Sequence, residues 1–224
     1  MPLLPSGDGR SEIAVDFSLY LITDRRQITD RSLVSVVREA LEGGCRAVQL
    51  REKDLSGKEL FKLAGELRQI TREYGARLLI NERLDIALAV DADGVHLGAA
   101  SLPVPAARRV LGAKVLIGYS AHSIDEAVRA GADGADFVTF GPVFYTPSKA
   151  TYGEPLGIEL LKAACAALTI PVFALGGVKR ENISRVMAAK AHGIALISAV
   201  IAAADPRSES VSFLQAIEQH AINP

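Results

Sequence analysis

The sequence is short of several things, and each shortage narrows what it can encode. It has no surplus of charge: 25 Lys and Arg stand against 26 Asp and Glu, a net charge of −1 at neutral pH. Such a chain has no global field to draw it to nucleic acid or to an anionic membrane, so any anion site must be local. It has only two cysteines, Cys45 and Cys165. They give neither a metal-ligand spacing nor a disulfide framework, and both fall in segments that read as helical, so buried thiols are the expectation. Long hydrophobic runs are missing too. The longest, Ile194 to Ala204, is too short to span a bilayer. The N-terminus lacks the basic stretch and apolar core of a secretory leader. Together these absences point to a cytoplasmic protein whose partners include neither nucleic acid nor membrane. They leave the oligomeric state open, a homo-oligomer included.

What is present suits one large core. The chain has 224 residues, 49% of them hydrophobic, which fits a single domain of α/β-barrel size. Residues 1–16 mix Pro, Gly, Ser and scattered charges without periodicity and read as a loose tail. From residue 17 onward strand-like and helix-like segments alternate. Short apolar runs predict strands at Ser18–Thr23, Arg46–Arg51, Arg77–Asn81, Gly94–Leu97, Val115–Tyr119, Asp136–Gly141, Pro171–Leu175 and Gly193–Ser198. Their richness in Val, Ile and Leu suits strands buried on both faces. Between them, Asp30–Gly43 and Ser56–Tyr74 carry apolar residues at helical spacing, the second opened by a Ser56–Glu59 capping box. Eight such alternations over residues 17–224 predict a single-domain (β/α)8 TIM barrel rather than a doubly wound sheet.

In a barrel of this kind, chemistry sits at the C-terminal strand ends. The sixth strand runs into Phe140-Gly141-Pro142-Val143-Phe144-Tyr145-Thr146-Pro147-Ser148-Lys149, where small residues, hydroxyls and a Lys suit an anion. The seventh strand ends in Gly176-Gly177. Either loop alone reads equally well as a tight turn; in succession they suggest one phosphate site. The second strand ends in Gln49, Arg51 and Lys53, which share a direction at period two. A ligand anion would offset the cost of holding them there. The alternative is a solvated exit with Arg51 paired to Glu52 or Asp54. Asn81 and Glu82 end the third strand, where a carboxylate can ligate Mg²⁺ and Asn can bind a phosphate oxygen. Asn81 could instead cap the next helix. His96 on the fourth strand points inward by alternation and reads more readily as structural. His122 follows the fifth strand on the active face, where it can serve as acid or base. The alternative makes it a helix-start residue beside a Ser123 cap.

The segments VQLREK, INER-DIAL, DGVHLG, IGYSAHS-DEA, GPVFYTPSK and FALGG occur in an order that resembles the thiamine phosphate synthase and TenI family, from about Leu19 to Ile201. The resemblance implies a (β/α)8 barrel and a transferase of thiamine biosynthesis. Such an enzyme joins hydroxymethylpyrimidine diphosphate to thiazole phosphate, releasing pyrophosphate with Mg²⁺. It implies that Gln49, Arg51, Lys53 and Asn81 hold the pyrimidine diphosphate and that Ser120 and Lys149 clamp its phosphates. Thr146, Ser148 and Gly177 would take the thiazole phosphate, with Ile197 and Ser198 nearby. Two positions depart from the synthase pattern. The third strand is followed by Asn81-Glu82 where the family has Asn-Asp, which leaves Glu82 as the metal ligand. Ala99, Ala100 and Ser101 stand where Gln-x-Asp is usual, so the second metal carboxylate is replaced by Ser101. The same resemblance offers an alternative, a thiazole tautomerase of the TenI branch with His122 as proton shuttle and no need of metal. A non-catalytic regulator that binds thiazole phosphate is a further alternative.

Overall fold

The computed structural model describes residues 13–146 and 154–222. Eight short strands pair in chain order: β1 (Leu19–Ile22), β2 (Ala47–Leu50), β3 (Arg77–Asn81), β4 (Gly94–Leu97), β5 (Leu116–Ala121), β6 (Phe137–Phe140), β7 (Val172–Leu175) and β8 (Gly193–Leu196). Every pairing is parallel, and Leu19 of β1 meets Ile194 of β8, which closes the barrel. Each strand begins and ends within two residues of the apolar run that predicts it.

The helices are α1 (Leu33–Glu42), α2 (Gly57–Glu73), α3 (Leu84–Ala89), α4 (Val104–Leu111), α5 (Ile124–Ala132), α6 (Gly157–Ala167), α7 (Ile183–Ala188), α8 (Ser198–Ile201) and α9 (Pro206–Ile222). Local chemistry sets their ends. Ser56 accepts from the Glu59 N–H while the Glu59 carboxylate accepts from the Ser56 N–H, so the expected capping box forms. Ser123 caps α5 by accepting from the Glu126 N–H. After α2, Gly75 takes a positive φ of 60°, the left-handed turn that ends a helix at little cost in glycine. The last helix, α9, packs on α1 and α7 and completes the outer ring.

Two apolar layers follow from strand alternation. Outward-facing residues such as Val48, Leu78, Ile80 and Ile117 pack under the helices, against faces like Val36, Val37 and Leu41 of α1. Inward-facing Tyr20, Leu79, Leu116, Phe137 and Phe173 fill the barrel. Burying one such large side chain contributes roughly 1.5–3 kcal/mol, so this interior is core and not a pore. Phe17 closes it from below, stacked on Phe173 at 5.2 Å and edge-on to Phe137 at 5.6 Å. Of the segment expected as a loose tail, residues 1–12 lie outside the described residues, while Ile13 and Val15 pack against this lower plug.

Of the two thiols expected to be buried, Cys45 is buried and Cys165 only partly so. Cys45 sits in the turn between α1 and β2 rather than on a helix, and Cys165 lies on α6. Burial pushes both thiols up to about 11, which keeps them protonated. No helix among the described residues is long and apolar enough to cross a membrane.

Candidate active site

Because all strands run in parallel, their C-terminal ends open on one face, and most of the predicted polar residues gather there. Gln49 projects from β2 into the barrel and is 1% exposed. The Tyr20 hydroxyl lies near enough to feel its amide, yet neither amide atom makes a hydrogen bond of proper geometry among the described residues. A buried amide left in this state costs on the order of 1–3 kcal/mol until something pairs with it. Arg51 follows, half-buried and in no ion pair among the described residues. Its predicted alternative partners are taken by another residue. Arg25 binds Glu52 at 3.1 Å and Asp54 at 2.6 Å, and these carboxylates raise its pKa further. The buried Glu52 also accepts from the Thr23 hydroxyl at 2.6 Å. Thr23 in turn accepts from the Arg51 backbone N–H at 2.9 Å. The loop after β1 thus fixes the loop after β2, and among the described residues it leaves the Arg51 guanidinium without an ion pair.

The Lys53 ammonium lies 3.7 Å from the Glu82 carboxylate, which joins the ends of β2 and β3. Glu82 has a positive φ of 61°, a left-handed geometry that costs a non-glycine residue on the order of 1–2 kcal/mol. Its N–H is held by the His96 carbonyl at 3.0 Å. Asn81 is the last residue of β3 and does not cap the following helix: α3 starts after Arg83, with no side-chain cap. Ser101 closes a turn in which its hydroxyl accepts from the Gly98 N–H at 2.8 Å. The described residues contain no group of three His, Cys, Asp or Glu side chains placed to hold a metal ion.

Below the mouth, His96 points inward as alternation predicts and is 2% exposed. Its Nδ1 lies 3.2 Å from the Tyr20 hydroxyl, and its Nε2 lies 3.0 Å from Ser120 Oγ and 3.4 Å from Thr139 Oγ1. Burial, aided by the Arg51 charge, pulls its pKa down to about 3, so the ring is neutral. Ser120 reaches from this network toward the mouth and is half-buried. His122, two residues on, is exposed, with Nδ1 2.6 Å from the Gly141 carbonyl.

On the far side, the loops after β6 and β7 are laced together. Val143 N–H donates to the Leu175 carbonyl at 2.9 Å and Phe144 N–H to the Gly176 carbonyl at 3.0 Å. Gly177 has a φ of 63°, and a Cβ there would stand 2.6 Å from the Tyr145 carbonyl oxygen. Glycine at 177 is therefore required by loop packing, whatever ligand approaches it. Thr146 is half-buried in the first loop, while Ser148 and Lys149 lie outside the described residues. Ile197 and Ser198 stand where β8 passes into the short α8. In barrels of this type, the loops after strands 7 and 8 and a short helix start are a frequent phosphate site.

The chain is similar in sequence and fold to known proteins. The family model described as "Thiamine monophosphate synthase" matches residues 19–200. The chain belongs to the thiamine monophosphate synthase family. A Geobacter sulfurreducens relative named "Putative thiamine-phosphate synthase" is 58% identical across 89% of this chain and 94% of its own. The thiamine-phosphate synthase of Moorella thermoacetica is 46% identical across 84% and 90%. The solved thiamine phosphate pyrophosphorylase from Pyrococcus furiosus has 39% identity and a TM-score of 0.83, covering 91% of this chain and 96% of that one. Within this family member, sequence reasoning did not single out Tyr20, Thr139, Thr23 or Arg25. Tyr20 and Thr139 read as ordinary strand residues. Arg25 meets carboxylates 27 and 29 residues away, a pairing that no local pattern announces.

Proposed function

We propose that this protein is a thiamine phosphate synthase, a transferase that joins hydroxymethylpyrimidine diphosphate to thiazole phosphate and releases pyrophosphate. The observation that carries the reading is the end of β2: a buried, unsatisfied Gln49 amide beside an Arg51 guanidinium in no ion pair among the described residues. Together they suit a polar heterocycle that carries an anion. The relatives' names favour this synthase reading over the tautomerase.

The roles follow the chemistry. Gln49 pairs with the edge of the pyrimidine, and Arg51, Lys53 and Asn81 hold its diphosphate. Ser120 and Lys149 donate to the phosphate oxygens. The C–O bond between the pyrimidine methylene and the diphosphate breaks, and both electrons leave with pyrophosphate. The thiazole nitrogen then supplies its lone pair to the methylene cation, forming the new C–N bond. Negative charge grows on the leaving group, so donors and cations aimed there lower the barrier. Thr146, Ser148 and Gly177 hold the thiazole phosphate, with Ile197 and Ser198 beside it, so the two substrates meet across the barrel mouth.

The donor set also fits Mg²⁺. This ion is commonly held by one or two carboxylates plus substrate phosphates and water, and Glu82 supplies a partly exposed carboxylate next to the diphosphate cations. When bound there, Mg²⁺ would add positive charge against the leaving diphosphate. Two unpaired cysteines suit a reducing, cytoplasmic setting. Incubation with both substrates and Mg²⁺ should release pyrophosphate and yield thiamine phosphate by mass spectrometry. Absence of both products from folded protein would overturn the assignment.

A further inference from the structure

Ser120 has one proton and two lone pairs, and what lies beneath it decides where that proton goes. Burial raises the Tyr20 phenol well above its ordinary value, so it keeps its proton. That proton has one acceptor of proper geometry among the described residues, His96 Nδ1. Leaving a buried hydroxyl without an acceptor is costly, so Tyr20 donates and Nδ1 accepts. With Nδ1 accepting, the ring's proton sits on Nε2, facing Ser120 Oγ at 3.0 Å. Thr139 Oγ1 approaches the same oxygen at 3.4 Å as a weaker donor. Both lone pairs of Ser120 are thereby engaged from below.

We propose that His96 is a positioning residue: the chain Tyr20 to His96 to Ser120 fixes the serine as an acceptor on its inner side, so that its own proton points into the mouth. The proposal rests on the reading of Ser120 as a donor to the departing diphosphate. Preset in this way, the hydroxyl needs no reorientation when negative charge develops. The surroundings are shaped for this ring. β5 carries glycine opposite His96 in the strand register, and a Cβ on Gly118 would stand 2.5 Å from Nδ1 and 2.4 Å from Phe137 Cζ.

The test has two arms. In the first, ¹⁵N NMR of the intact protein reads the His96 tautomer; a neutral ring protonated at Nε2 is expected, and a proton on Nδ1 overturns the proposal. In the second, synthase turnover is measured for His96→Leu, His96→Gln, Tyr20→Phe, Ser120→Ala and the double variant His96→Leu/Ser120→Ala. His96→Leu should lower kcat about 10–100-fold, the usual cost of losing an outer hydrogen-bond partner of a functional group, with KM for thiazole phosphate unchanged. His96→Gln, which keeps an N–H near the Nε2 position, should recover much of the loss. Tyr20→Phe should lower kcat in the same direction, and it serves should His96→Leu fail to fold. The double variant should be no slower than Ser120→Ala. If the His96 loss instead multiplies that of Ser120→Ala, the relay is wrong while the role of Ser120 stands. If Ser120→Ala alone turns over normally, the role of Ser120 falls and the relay with it.

Discussion

Nδ1 of His122 lies 2.6 Å from the carbonyl oxygen of Gly141. A carbonyl only accepts, so Nδ1 carries the proton, and in the neutral ring Nε2 keeps a free lone pair. The residue is thus equipped as a base, the feature on which a tautomerase would depend. Loss of pyrophosphate from the pyrimidine needs no base at this position. His122→Ala should therefore leave synthase turnover within a few-fold of the parent. Were proton transfer on the thiazole the true reaction, the same variant should lose roughly 10²–10⁴-fold. Assaying it with both substrate sets decides between the reactions, and a collapse of the synthase rate would count against the proposed mechanism.

Lys53 separates function from stability. Its ammonium meets Glu82 at 3.7 Å with both side chains more than a third exposed, and exposed pairs contribute only about 0–1 kcal/mol. Lys53→Ala should hardly move the melting temperature. If its charge faces the leaving diphosphate, turnover should fall roughly 10²-fold or more. Calorimetry and steady-state kinetics on one preparation suffice, and full activity in the variant would remove Lys53 from the site.

Much of this was legible in the sequence, for a physical reason. Strands buried on both faces must be short apolar runs, so Val48, Ile80 and Ile194 announce them without any knowledge of neighbours. Alternation then sends Gln49 and His96 inward, as observed. What stayed hidden is pairing across the barrel. Tyr20 and His96 are 76 residues apart, and only the closed sheet brings them together. Gly177 was legible as important but only half explained, because the chain that crowds it, Phe144 and Tyr145, comes from another loop.

The buried His96 makes stability depend on pH. Its folded pKa is about 3, against 6.5 for a free imidazole, so between these values the unfolded chain binds a proton that the folded one refuses. Stability should be intact above about pH 6.5 and fall as the pH drops toward 3, by up to about 1.4 kcal/mol per unit from this one group. Burial lowers His192 as well and acts in the same direction. Urea midpoints at pH 7 and pH 4 should differ less in His96→Gln than in the parent. Identical differences would mean that His96 is not held neutral.

Ser101 allows a gain of function to be tested, not only losses. Its hydroxyl accepts from the Gly98 N–H, and an Asp carboxylate can accept the same bond, so the turn should survive substitution. One oxygen would then remain free for a metal. In a synthase whose protein ligand to Mg²⁺ is Glu82 alone, Ser101→Asp should tighten Mg²⁺ binding, because a second hard carboxylate joins the first. The effect should appear as higher turnover at limiting Mg²⁺, fading as the metal saturates. Chelator should abolish turnover in both proteins, with more needed for the variant. Glu82→Gln should show the opposite shift, raising the Mg²⁺ concentration for half-maximal rate with little effect on folding, since its partner Lys53 is largely exposed. A parent enzyme indifferent to chelator, or a Ser101→Asp variant with an unchanged Mg²⁺ requirement, would place the metal away from this rim or out of the reaction.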